Sequence, residues 1–220
     1  MQTIVIADVD GTLVDSNYQN VLAWYRAFRG CGVTVPMWRV HRAVGMGGDQ
    51  LVAAVAGDDV EREHGDDVRA AWAEIFGPML DEVAPLEGAR DLLVAVKEQG
   101  HQLVLASSGR PDHVEHYLDL LRARDIADAW TSSQDVEQTK PAPDLLAVAM
   151  EKVTGQCAVA LGDSVWDCQA ARKLELPSVG LRTGGFGVEE LAAAGASKVY
   201  DDLPALCAEL DRLPFAVPTK

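Results

Sequence analysis

Five short and almost unbroken apolar runs constrain the fold of this chain more than any other feature. They lie at 3–7, 102–106, 157–161, 178–181 and, more weakly, 198–200. A strand that is apolar at every position is buried on both faces, which is the condition of a parallel sheet covered by helices on each side. Segments of helical period fill most of the gaps. Over 88–99, Ala89, Leu92, Leu93 and Val96 share one face, and Gly100 stands where a C-terminal cap belongs. Pro111 opens a helix over 111–121 from the first helical position. A helix over 141–153 carries Leu145, Leu146, Val148 and Ala149. Ser164 caps another that runs to Leu174 and is followed by Pro177, and 187–194 reads as a short helix. Strand and helix in alternation predict an α/β chain with a Rossmann-like parallel sheet.

One region breaks the alternation. Between 17 and 83 no strand pattern occurs, and 17–29, 36–44, 49–56 and 58–80 read as helices. Pro85 and Gly88 mark the return to alternation. The expected organisation is an α/β core of residues 1–16 and 84–220, with a small α-helical cap inserted at 17–83. A cap inserted after the first strand would cover the C-terminal edge of the sheet, where ligands of such folds bind.

Composition narrows the partners. Hydrophobic residues make up 48% of 220, enough to bury a core, and the formal net charge is -15. Nucleic acid and anionic membrane surfaces both reward an excess of Lys and Arg, so neither is an expected partner. A small anionic substrate would need locally concentrated positive charge, for instance a metal ion. Cys31, Cys157, Cys168 and Cys207 form no C-x-x-C and no zinc spacing, which predicts reduced thiols and a cytoplasmic protein. No basic region followed by an apolar one opens the chain, and no apolar run approaches the ~20 residues of a membrane span.

The first apolar run ends in "IVIADVDGTLVDS". Residues two apart on an extended chain point to the same side with Cα atoms ~6.6 Å apart, so Asp8 and Asp10 would flank one small group. Gly11 lets the chain turn there. Two close carboxylates repel, which favours protonating one or binding a cation between them. One could attack as a nucleophile while its protonated neighbour donates to a leaving group. The bland alternative is a strand-end turn, where Asp and Gly are common. Three further stretches weigh against it. "LVLASSGRP" places Ser107 and Ser108 at a strand end, "QTKPAPD" places Lys140 before a helix starting at Pro141, and "VALGDSVWD" places Asp163 at a strand end with Asp167 four residues on. In a parallel sheet all these ends share one edge.

In these four stretches the chain resembles the haloacid dehalogenase superfamily of phosphotransferases. "DVDGT", Ser107, "KPAPD" and "GDSVWD" stand in the order of the family's four motifs, and the helical block stands where the family places its small cap. The closest branch is phosphoglycolate phosphatase-like and β-phosphoglucomutase-like. The resemblance implies Asp8 as nucleophile and Asp10 as the acid that protonates the leaving oxygen and then activates water. It implies Mg²⁺ held by Asp8, Asp163 and the backbone carbonyl of Asp10, supported by Asp167. Ser107 and Lys140 would hold the phosphoryl oxygens, helped by Ser108 and by backbone N–H groups near Val9 and Gly11.

Within the superfamily the residues discriminate. Asp10 argues against carbon–halogen cleavage, which lacks the second aspartate. The first lysine of the chain is Lys97, so no cap lysine is present for a Schiff base, and its absence also weakens a β-phosphoglucomutase-like reading. A phosphomonoesterase acting on a small phosphorylated metabolite, of phosphoglycolate or sugar phosphate type, is the expectation, as a monomer or homodimer. A non-catalytic binding protein keeping the fold would have lost a motif residue, and none is lost. In the cap, "HRAVGMGGDQL" is expected to reach the site, with Gly47 in a tight loop and Arg42 offered to a substrate carboxylate or second phosphate. His113 and His116 are expected on a solvated helix face. "TGGFG" at 183–187 reads as a turn. Trp24, Trp38 and Trp72 read as packing residues, of which one could line the substrate pocket.

Overall fold

The structure is a computed structural model that describes residues 3–214. Six parallel strands, β1 (Thr3–Ala7), β2 (Gln102–Ala106), β3 (Ala129–Thr131), β4 (Cys157–Gly162), β5 (Ser178–Leu181) and β6 (Ala196–Tyr200), form one sheet in the order β3-β2-β1-β4-β5-β6. The chain moves outward from β1 to β3 on one side, then returns to lay β4 against the other flank of β1. This reversal opens a crevice at the C-terminal ends of the central strands. Ala7 pairs with Leu105 and Leu161, so the residues just past β1, β2 and β4 emerge side by side.

The continuous apolar runs pack as their composition requires. Val5 and Ala7 of β1 face a core layer that includes Leu92, Leu93 and Val96 of α5 (Ala89–Glu98) and Val114, Tyr117 and Leu118 of α6 (Pro111–Leu120). Ile4 and Ile6 face the opposite layer, with Leu146 and Ala149 of α7 (Asp144–Glu151) and Ala170 and Ala171 of α8 (Val165–Lys173). Neighbouring residues of one strand thus serve two cores.

Four helices, α1 (Asn17–Gly30), α2 (Met37–Ala43), α3 (Gly48–Ala56) and α4 (Asp58–Phe76), make up the inserted block, with a 3₁₀ stretch over Gly77–Glu82. They have a core of their own, built from Val21, Trp24, Phe28, Val40, Leu51, Val52, Val55 and Val68 among others. Two short helices, α9 (Val188–Ala194) and α10 (Leu203–Cys207), complete the far end of the sheet.

The differences from the sequence reading have local causes. β3 has three residues, too short for periodicity to register, and α10 has five. The helix expected from Pro141 begins at Asp144, because Pro143 disfavours helical backbone at Ala142. The lysine therefore precedes a short proline turn rather than a helix. His113 does not lie on a solvated face: it is buried between the α/β core and the cap, whereas His116 is partly exposed. No described helix is long and apolar enough to cross a membrane.

Candidate active site

The site is assembled at the C-terminal edge of β1, β2 and β4. Asp8 continues β1, its N–H donating to Leu161 O (2.9 Å). The chain then folds into a tight turn in which Gly11 N–H donates to Val14 O (2.9 Å) and the Val9 carbonyl accepts from Leu13 N–H (2.8 Å). Gly11 has φ +75°, a left-handed conformation that a side chain disfavours. A Cβ there would stand 2.2 Å from Asn17 Nδ2 and 2.3 Å from Asp163 Oδ2. The glycine is therefore required both by backbone conformation and by the close approach of the acidic residue from β4. The Gly11 N–H is committed to this turn, and Val9 is a buried core residue.

Asp8, Asp163 and Asp167 each offer a carboxylate oxygen within 4.8 Å of the others, and all three are buried. Lys140 reaches the same point, with Nζ 2.5 Å from Asp8 Oδ1 and 2.9 Å from Asp167 Oδ1. Its side chain is only 4% exposed, so a lysine that would normally be solvated is held among three acids. Thr12 Oγ1 and Asn17 Nδ2 each donate to Asp163 at 3.0 Å. Asp167 is fixed by a reciprocal cap at the start of α8, accepting from Ser164 N–H (3.1 Å) and Ser164 Oγ (2.6 Å).

Electrostatics follow from this crowding. Burial, opposed by Lys140, raises the Asp8 carboxyl well above its ordinary value, and the charges of Asp167 and Asp163 add to the rise. Burial and then Asp167 push Asp163 up to about 7, against the hydrogen bonds from Asn17 and Thr12. Burial works against the charge of Lys140, but attraction to Asp167 and Asp8 outweighs it and raises its pKa. Neither Asp8 oxygen has a hydrogen bond of good direction, even with the ammonium in ion-pair contact. Buried carboxylate oxygens lacking a directed donor, beside two further acids, fit a hard divalent cation with oxygen ligands.

Asp10 is set apart from this cluster. Its carboxylate accepts from Ser16 Oγ (2.8 Å) and Ser107 Oγ (3.1 Å), and Ser107 Oγ accepts from Gly109 N–H (2.9 Å). Ser107 therefore touches Asp10 directly. Tyr117 is buried beside Asp10 and Ser16, and burial followed by the charge of Asp10 raises its hydroxyl pKa.

Asp8, Asp10 and Lys140 line a half-open cleft between the core and the cap, whose empty space, open solvent included, is about 520 Å³. Ser108 lines it from the core, and Gly47 lines it from the cap. The Gly47 loop is pinned to the core: its N–H donates to Thr139 Oγ1 (3.0 Å), and Thr139 N–H donates to Asp49 Oδ2 (3.1 Å). Further along, His41 Nε2 lies 3.1 Å from Gly184 O, and Trp166 Nε1 donates to Arg42 O (3.1 Å). Arg42 itself turns away, pairing with Glu190 (2.5 Å) and lying 4.0 Å over the Phe186 ring; it is not among the cavity-lining residues. Trp24 and Trp72 line the cavity, whereas Trp38 is exposed. The 183–187 stretch forms a turn as expected, with a 3₁₀ stretch over Arg182–Gly184 that packs against Asp163.

Sequence reasoning did not single out Thr12, Asn17, Ser16 or Thr139. Thr12 follows the "DVDG" turn directly, and Ser16 and Asn17 stand in the short polar run 15–17 that enters the first helix, which was the available signal.

The haloacid dehalogenase-like hydrolase family matches residues 3–174, which carry all four motifs and the cap. The chain belongs to that family. Validoxylamine A 7'-phosphate phosphatase of Streptomyces hygroscopicus subsp. limoneus is 28% identical over 189 residues, 83% of this chain and 87% of the relative. Phosphoglycolate phosphatase of Pseudomonas putida is 29% identical over 211 residues, 92% of this chain and 78% of the relative. A crystal structure of a hydrolase from Pseudomonas syringae superposes with a TM-score of 0.90 at 32% identity, covering 96% of this chain and 99% of that one.

Proposed function

We propose that the protein is a Mg²⁺-dependent phosphomonoesterase acting on a small phosphorylated metabolite through an aspartyl-phosphate intermediate. The observation that carries this reading is the buried contact of Lys140 with Asp8 and Asp167 beside a cap-covered cavity. The phosphatase relatives from Streptomyces and Pseudomonas support it.

Asp8 is the nucleophile. Its carboxylate attacks phosphorus, the bond from phosphorus to the alcohol oxygen breaks, and the phosphoryl group passes to Asp8. Asp10, held by Ser16 and Ser107, gives its proton to the departing alkoxide. It then takes a proton from water, whose oxygen attacks phosphorus, releasing phosphate and the free Asp8 carboxylate. Lys140 stands where it can face the phosphoryl oxygens as charge spreads over them, and Ser108 adds a hydroxyl at the same wall. Asp8, Asp163 and Asp167, with the main-chain carbonyl of Asp10, are the groups that would hold Mg²⁺. When bound, the ion supplies charge neutralisation that lets a phosphate dianion approach the carboxylates. The cap limits substrate size and shields the acyl phosphate.

No cap lysine or free cap arginine lines the cavity to hold a sugar phosphate in two orientations, so water is the expected acceptor rather than a second hydroxyl. The experiment is phosphate release from a panel of phosphorylated metabolites with Mg²⁺, with EDTA and in Asp8→Asn. Turnover should require the ion and fall by orders of magnitude in the variant while the circular dichroism spectrum is kept. Undiminished release by Asp8→Asn, or after exhaustive chelation, would refute the proposal.

A further inference from the structure

Beyond the carboxylates the cavity is walled by rings. Trp24 of α1 stacks on Trp72 of α4 with centroids 4.9 Å apart and 13° between planes. Trp72 stacks in turn with Phe76 at 5.3 Å and 13°. His113 of α6 closes the row from the core side, edge-on to Trp72 at 5.6 Å and 5.1 Å from Phe76. Flat, rigid side chains from both units thus form one stacked row along the cavity. Two cavity-lining residues carry a buried polar atom without a hydrogen-bond partner, Trp72 Nε1 and Ser108 Oγ. An indole N–H can only donate, so whatever satisfies it must offer an acceptor.

The charges beside the cavity are all committed. Lys140 is the one Lys or Arg among its described lining residues, and it is paired with Asp8 and Asp167. Arg69, whose side chain lies near Gly48, is paired with Glu61 and Asp66 and donates to Gly48 O. Arg110 is paired with Asp112, and Arg42 with Glu190. The first turn of α3 carries its own anion, Asp49, bound to Thr139. A carboxylate or second phosphate on the alcohol would lose its water here and gain no counter-charge.

We infer that the substrate of this phosphatase is the monophosphate of an uncharged, ring-shaped alcohol, packed against the Trp24–Trp72 stack with a ring oxygen accepting from Trp72 Nε1. Trp72 is the specificity-determining residue, and acyclic phosphorylated acids are disfavoured. The inference rests on the phosphatase reading and narrows it.

The test compares phosphate release, with Mg²⁺, from glucose 6-phosphate, cyclohexylmethyl phosphate and phosphoglycolate, with acetyl phosphate as a small reference. The first three compounds are also titrated against Asp8→Asn by tryptophan fluorescence. Both ring compounds should exceed phosphoglycolate in kcat/KM by about 10-fold or more, the size of effect an apolar pocket contact can supply. They should also quench fluorescence at lower concentration. Trp72→Phe keeps a ring but removes the N–H, so it should lower the ratio of glucose 6-phosphate to cyclohexylmethyl phosphate. Met46→Arg puts a cation into the wall and should narrow the preference over phosphoglycolate by roughly 10-fold. Phosphoglycolate turned over as well as the ring compounds overturns the inference and leaves the phosphatase reading standing. So does a preference that neither variant moves. Release from none of the four compounds refutes the phosphatase reading instead, and the fluorescence titration then decides by itself whether the cavity prefers the ring or the carboxylate.

Discussion

Replacing Lys140 by Met removes the charge and keeps most of the volume, so it isolates the electrostatic role of the ammonium. The wild-type side chain touches Asp8 at 2.5 Å and Asp167 at 2.9 Å and is almost wholly buried. Removing one partner of a buried ion pair leaves the other charge uncompensated, at a cost of about 3–5 kcal/mol. For a chain of this size that corresponds to a melting temperature lower by roughly 6–20 °C. The cluster has an escape, which is to bind a proton. Asp163 already titrates near 7, so that escape is nearly free at pH 5.5 and uphill at pH 8. The destabilisation should therefore be largest at pH 8 and shrink toward acid. Mg²⁺ should narrow the gap, because the carboxylates freed from the ammonium bind the dication more tightly than in the wild type, and each tenfold gain in affinity adds about 1.4 kcal/mol at saturating ion. Activity should not return, because the ion does not replace the cation facing the phosphoryl oxygens. Urea unfolding in EDTA at both pH values, with and without Mg²⁺, measures all three effects. A variant within about 1 kcal/mol of wild type at pH 8, or one whose deficit grows toward acid, would show that Lys140 does not neutralise the cluster.

Three further outcomes follow from the same geometry. Between the ordinary carboxyl value of 3.8 and about 7, folded Asp163 holds a proton that the unfolded chain has released. Metal-free stability should therefore fall as pH rises through this window, by on the order of 2–4 kcal/mol. Asp163→Asn should flatten that slope in thermal melts taken in EDTA, and an unchanged slope would place the titration elsewhere. Gly11→Ala forces a Cβ into Asn17 and Asp163 at a left-handed residue, so it should lose both stability and Mg²⁺ affinity, read by melting with and without the ion. Arg42→Ala removes a half-exposed ion pair with Glu190 and should change stability by less than about 1 kcal/mol in urea titration.

The sequence by itself determined the parallel sheet and the split into core and cap. The apolar runs of β1, β2 and β5 coincide with the expected strands to the residue, because burial on both faces leaves only their first residues, Thr3, Gln102 and Ser178, polar. The convergence of the candidate site residues was legible for a related reason. Asp8, Ser107 and Asp163 each follow an apolar strand directly, and a parallel sheet brings such ends to one edge whatever lies between them. Tertiary structure decided what no local pattern encodes. Helical spacing places His113 beside His116 on α6 and says nothing of what packs there; only the docked cap, through Trp72 and Phe76, makes one of them a buried wall residue. Arg42 reads as a cation near the site, yet Glu190 and Phe186, about 150 positions away, draw it to the outer rim. Thr12 and Asn17 became supports of Asp163 only when β4 was laid beside β1. Periodicity reports the environment of a residue along its own element. Which distant side chain supplies that environment depends on contacts across the sheet and across the cap, and those are set only when the whole chain has packed.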